Sequence, residues 1–195
     1  MVNIVLFGAP GCGKGTQAQR LKEHYGITHV STGEVIRDEI ARGTELGREM
    51  ESYIKEGRLA PDHIVIDMVA GFIDEHRQTK GCIFDGFPRT TRQAEEFETM
   101  LAEHGLQVDA MVDIRVPEEE LVRRILLRGK DSGRADDASE EVIRNRIEVY
   151  RRQTEVVADF YAQRGKYADV DGVGSMDEVF DRIRTIIDDR IGGDR

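Results

Sequence analysis

The chain has 195 residues, 39% hydrophobic and 34% charged, which is one domain's worth of sequence with enough apolar material for a core. Its net charge of −10 argues against general nucleic-acid binding, and no apolar run approaches the roughly 20 residues of a membrane span. Cys12 and Cys82 lack paired spacing and the five histidines lack metal-ligand spacing, so free thiols and ordinary histidines are expected. The amino terminus has no basic signal-peptide region, and a cytoplasmic location is the expectation.

The first element is a strand, Val2–Phe7, read from the apolar run Ile4-Val5-Leu6-Phe7. It meets the glycine-rich turn Gly8-Ala9-Pro10-Gly11-Cys12-Gly13, then Lys14 and a helix to Tyr25 with Ala18, Leu21 and Tyr25 on one face. Strand, glycine loop and helix form the context of a phosphate-binding loop: backbone N–H groups turn inward, and the helix dipole and Lys14 add positive charge. The general motif has Ser or Thr after the lysine. Here that place holds Gly15, and the hydroxyl follows at Thr16.

Thr28–Val30 is a short strand candidate. Ser31 and Glu34 stand at capping-box spacing, and helices follow at about 34–41 and 45–55, punctuated by Gly43 and Gly57. Pro61-Asp62 opens a helix to about His76. Gly81–Asp85 is a buried strand ending in an acid, and Thr90 or Thr91 caps a helix to about Glu103. Asp109–Arg115 is a strand and Pro117–Arg128 a helix. A polar loop is expected over Gly129–Asp137, then one long helix carrying Ile143, Ile147, Tyr150, Val157 and Tyr161. Tyr167–Val170 is the last strand, and the last helix bears Val179, Phe180, Ile183 and Ile187. The tail 192–195 is expected to fray.

Five strands alternating with helices predict a three-layer α/β/α fold with a parallel sheet. Ligands in such sheets bind beyond the carboxyl ends of the strands, so the loops after Phe7 and Phe84 share the site edge. Residues 31–60 and 129–137 interrupt the alternation, and composition suits either mobile flaps or plain surface insertions. Arg37, Arg89, Arg124, Arg128, Arg134 and Arg146 gather in or beside these segments. Guanidinium groups match phosphate oxygens and keep their charge. Asp85, ending an apolar strand, is placed to organise magnesium, directly or through water.

Taken together, GAPGCGKGT at 8–16, STGEVIR at 31–37, DGFPRTTRQ at 85–93, GRADD at 133–137 and the helix with Arg144-Asn145-Arg146 closely resemble the nucleoside monophosphate kinases, within them the short-lid adenylate kinase family. Gly15 after the lysine is what that family shows. The resemblance implies a core of residues 1–30, 61–128 and 139–195, a monophosphate-binding region at 31–60 and a short lid at 129–138. It implies no structural zinc, because the lid lacks a cysteine cluster, and it implies a monomer.

The resemblance also implies roles. Gly11, Cys12, Gly13, Lys14, Gly15 and Thr16 would cradle ATP phosphates. Arg124 would pack on the ATP adenine, Gly174 would offer it backbone, and Arg128 would contact phosphates. Thr32, Arg37, Leu59, Ala60, Gly86, Arg89 and Gln93 would bind AMP, and Arg134 and Arg146 would bridge the transferring group. Relatives that prefer UMP or CMP carry Ala in place of Thr32 and Asn near Gln93, so the resemblance favours AMP, and a glutamine amide has the donor and the acceptor that an adenine edge needs. The expected reaction is magnesium-dependent transfer from ATP to AMP, giving two ADP, with no covalent intermediate. A UMP/CMP kinase, or a nucleotide switch or ATPase, remains the alternative. No partner beyond ATP, AMP and ADP is expected, neither nucleic acid nor membrane.

Overall fold

In the computed structural model, residues 1–76, 78–137 and 139–192 are described. The central strand β1 (Val2–Phe7) is flanked by β3 (Gly81–Asp85) and β4 (Ala110–Arg115). With β2 (Thr28–Ser31) and β5 (Tyr167–Asp171) at the edges, the described strands lie parallel in the order β2-β3-β1-β4-β5. Every residue of β3 is buried, and so are Asn3–Phe7 of β1. Continuous burial is what a parallel sheet covered on both faces produces.

The period-two side-chain alternation divides the core. Ile4 and Leu6 pack with Ala18 and Leu21 of α1 (Lys14–Tyr25), Leu121 and Ile125 of α6 (Glu118–Ser132), Ile143 and Ile147 of α7 (Glu140–Val149), and Ile183 and Ile187 of α9 (Met176–Gly192). Val5 and Phe7 point the other way, onto Val69 and Ile73 of α4 (Asp62–Glu75), Phe97 and Leu101 of α5 (Thr91–Glu103), and Val157 and Tyr161 of α8 (Val156–Ala162). The chain turns from one side of β1 to the other after β3. This switch point opens a crevice at the carboxyl ends.

Between β2 and α4 stand α2 (Thr32–Arg42) and α3 (Glu45–Lys55). Ser31 caps α2 by accepting from the Glu34 amide, and Thr44 caps α3 by accepting from the Gly47 amide at 3.0 Å. Thr90, not Thr91, caps α5, accepting from the Gln93 amide at 3.1 Å.

Two elements differ from the sequence reading. The expected loop at 129–137 is mostly ordered secondary structure: α6 continues past Arg128 to Ser132, Gly133 ends it in the left-handed conformation, and Ala135–Asp137 form a 3-10 turn. The apolar stripe stops at Leu127, so hydrophobic periodicity lost the last turn, which good helix formers such as Lys130 still support. The expected long helix is broken in two by a π turn over Tyr150–Thr154, closed by the Glu155 amide donating to the Tyr150 carbonyl at 2.9 Å. One extra residue re-aims the stripe. Ile143 and Ile147 therefore serve one face of the sheet, and Val157 and Tyr161 the other. Residues 193–195 of the expected frayed tail lie outside the described residues, as does residue 138 of the expected lid.

Candidate active site

A cavity of about 970 Å³ lies at the carboxyl ends of β1 and β3. All the residues singled out from the sequence line it: Gly11, Cys12, Gly13, Lys14, Gly15, Thr16, Thr32, Arg37, Leu59, Ala60, Asp85, Gly86, Arg89, Gln93, Arg124, Arg128, Arg134, Arg146 and Gly174.

The glycine loop is built by close approach. Gly8 has φ +131°, and a Cβ there would stand 2.6 Å from the Ile114 carbonyl oxygen, so only glycine lets β1 turn at that point. Lys14 Nζ donates back to the Gly8 and Ala9 carbonyls at 2.7 and 3.1 Å, which fixes the ammonium inside the loop. Burial pushes the Cys12 thiol up, more than nearby Lys14 lowers it, so Cys12 is no activated nucleophile.

Asp85 sits beside this loop, its Oδ2 3.7 Å from where a Cβ on Gly15 would be. Burial alone would raise its carboxyl. His29, Lys14 and Arg89 outweigh that and hold it below the usual range, so it stays ionised.

The insertion supplies the opposite wall. Thr32 Oγ1 and Arg89 Nε both donate to the Gly86 carbonyl, at 3.1 and 2.6 Å. Burial, and after it the neighbouring Arg134, together lower Arg37 to about 10, against the support of Asp136 and Glu34. Burial also depresses Arg89, where Asp85 supports its charge and Arg146 opposes it. Cations crowded against one another in a shielded space are poised for an anion.

Aspartates occupy two of the arginines. Arg128 Nε and Nη2 grip Asp137 Oδ2 and Oδ1 at 2.7 and 2.8 Å. Arg146 Nη1 reaches Asp137 Oδ1 at 2.8 Å, and its Nη2 reaches Asp136 Oδ2 at 3.1 Å. Arg124 is held by Glu120 at 2.7 Å and the Gly172 carbonyl at 3.1 Å, so its guanidinium spans from α6 to the loop after β5. That loop carries Gly174 at φ +134°, and Gln17 secures it by donating to the Met176 carbonyl at 3.1 Å.

A family model described as adenylate kinase matches residues 6–166. The chain is 53% identical over 180 residues to the adenylate kinase of Phocaeicola vulgatus, covering 92% of this chain and 95% of that protein. It belongs to the adenylate kinase family. The adenylate kinase of Bacteroides thetaiotaomicron is 52% identical over 96% of this chain and 99% of its own length. That of Maricaulis maris is 46% identical over 97% and 100%.

Three features of this site are not marked by any spacing in the sequence. His29, an ordinary histidine by its spacing, has its Nε2 3.5 Å from Asp85 Oδ2. The pairing of β2 with β3 puts it there, and no spacing in the chain signals it. Asp136 and Asp137, which the sequence marks only as part of GRADD, are the buried counter-ions of Arg128 and Arg146. Finally, Gln93 does not present a vacant amide: one end is taken by Asp62 and the other by the Arg89 backbone. Among the described residues, no group of three or more His, Cys, Asp or Glu is arranged to hold a metal ion, and no helix is long and apolar enough to cross a membrane.

Proposed function

We propose that this protein transfers a phosphoryl group reversibly from ATP to AMP, giving two ADP. One observation carries the reading. Lys14, Arg89, Arg128, Arg134 and Arg146 converge on a single cavity, with a phosphate-type loop on one side and a helical insertion on the other. ATP is assigned to the loop over Gly11–Thr16, with Arg124 and the backbone at Gly174 around its base. AMP is assigned to Thr32, Arg37, Leu59, Ala60, Gly86, Arg89 and Gln93.

The chemistry needs position and charge rather than a base. A phosphate oxygen of AMP is already an anionic nucleophile, so the barrier lies in bringing two polyanions into line while charge spreads over the moving group. Lys14 and the arginines oppose that charge. Incoming phosphates compete with Asp136 and Asp137 for Arg146, and with Asp137 for Arg128. A fully formed cation cluster therefore coincides with bound nucleotide.

Magnesium fits the residues present. Asp85 is kept ionised beside Gly15, and Thr16 lines the same cavity. One carboxylate with substrate phosphates is an ordinary magnesium environment, so a dedicated protein cage is not needed. When bound, the ion neutralises phosphate charge.

Residues 31–60 and 129–138 act as the two flaps over a core of 1–30, 61–128 and 139–195, and closure excludes water as a competing acceptor. The working unit is a monomer, since one chain supplies every group in the scheme, and a cytoplasmic location belongs to the same proposal. The test is ADP formation from ATP with AMP, CMP, UMP or GMP, with and without magnesium. Selective, magnesium-dependent use of AMP is expected. Preference for UMP or CMP, or phosphate release without any acceptor, overturns the reading.

A further inference from the structure

Gln93 is buried, and its amide is held from both ends. Its Nε2 donates to Asp62 Oδ1 at 2.8 Å, and its Oε1 accepts from the Arg89 backbone N–H at 2.7 Å. Thr90 Oγ1 donates to the same Asp62 oxygen at 3.1 Å while accepting from the Gln93 backbone amide. Asp62 opens α4, where the helix N-terminus favours a negative charge.

An ionised carboxylate only accepts hydrogen bonds, and a backbone N–H only donates. Together they fix which end of the amide is which. Turning it over would set Oε1 against the carboxylate and the amino group against a donor. With these bonds made, Gln93 keeps one N–H and one Oε1 lone pair for a ligand in the cavity it lines.

We propose that Asp62 is a positioning residue that sets the donor–acceptor polarity of Gln93 and so selects 6-amino over 6-oxo purine monophosphates as acceptor. The inference rests on the reading of Gln93 as a contact to the acceptor base. A 6-aminopurine offers an N–H donor beside a ring-nitrogen acceptor, which the fixed amide complements. A 6-oxopurine offers a carbonyl acceptor beside a ring N–H, the reverse order. Only the overturned amide matches it, and Asp62 opposes that state. A mismatched edge also leaves buried polar groups unpaired.

The experiment measures kcat/KM for AMP and for IMP with ATP as donor, in the wild type, Asp62→Asn and Asp62→Ala. The ratio of the two values does not depend on how much of a preparation is folded. Asparagine can accept or donate, so Asp62→Asn should retain AMP use and narrow the AMP-to-IMP ratio by about ten-fold or more, through a gain on IMP. Asp62→Ala should narrow it through a loss on AMP. A ratio unchanged in both variants, with the two activities falling together, overturns the proposal and leaves Asp62 a purely structural residue. Failure of the wild type to use AMP at all would instead overturn the proposed function.

Discussion

Lys14 and Arg134, which the proposed reaction places at the transferring phosphate, differ in what holds them. Lys14 is anchored by two carbonyls of its own loop, whereas Arg134 makes no side-chain hydrogen bond among the described residues. Arg134 is therefore the group most available to charge that develops late. Arg134→Ala should lower kcat by about 10³-fold, with a much smaller rise in KM for AMP, read from steady-state ADP formation. Equal changes in both constants would assign it to ground-state binding. Asp137 invites a stability prediction. Burial raises its carboxyl, but Arg128 and Arg146 more than compensate and hold it below the usual range. A depressed folded-state pKa contributes stability above the unfolded value, near 4, and loses it as pH falls through the folded value. Urea unfolding at pH 7 should show Asp137→Asn destabilised by about 2 kcal/mol. The gap to wild type should shrink at pH 3.

At the scale of elements, the insertion and α7 meet at a point contact. Gly57 has φ +69°, and a Cβ there would stand 2.6 Å from Arg146 Cγ. Beside it, Asn145 Nδ2 donates to the Glu56 carbonyl at 2.6 Å. The end of α3 thus rests on the residue that also pairs with Asp136 and Asp137. Gly57→Ala adds a methyl group where the backbone already disfavours one, and it pushes on Arg146. Displacing a transfer group by about 1 Å can cost about 10²-fold. Gly57→Ala should cut kcat by ten-fold or more while costing about 1 kcal/mol of stability. Thermal unfolding and turnover measured on the same preparation separate the two effects, and unchanged turnover would remove the coupling. The π turn belongs to this scale as well. It lets Tyr150 reach Phe7, with ring centroids 5.7 Å apart, and sends Val157 to the second face of the sheet.

For the whole molecule, the paradox of an acidic polyanion-binding chain resolves by location. The net charge is −10, yet guanidinium groups line the cavity, two of them matched by aspartates. Ligands that replace those internal partners should stabilise the fold by mass action. At 100-fold excess over Kd each contributes about 2.7 kcal/mol, or roughly 5–10 °C for a chain of this size. With a chelator present to stop turnover, ATP and AMP together should raise the unfolding temperature more than either alone. No shift with AMP would contradict a site on the insertion side.

The chain alone determined the alternation of strands and helices, the glycine loop and the cluster of arginines. These rest on local patterns: apolar runs, glycines at a turn, a cap such as Ser31, and motifs short enough to read. Tertiary structure decided the rest. His29 meets Asp85 because β2 pairs with β3. Asp62 meets Gln93, 31 residues away in sequence, because α4 and α5 start side by side. The π turn arises because one helical run must serve both faces of the sheet, a demand no sequence period records. Contacts between distant segments depend on how elements pack, and packing is a property of the assembled chain.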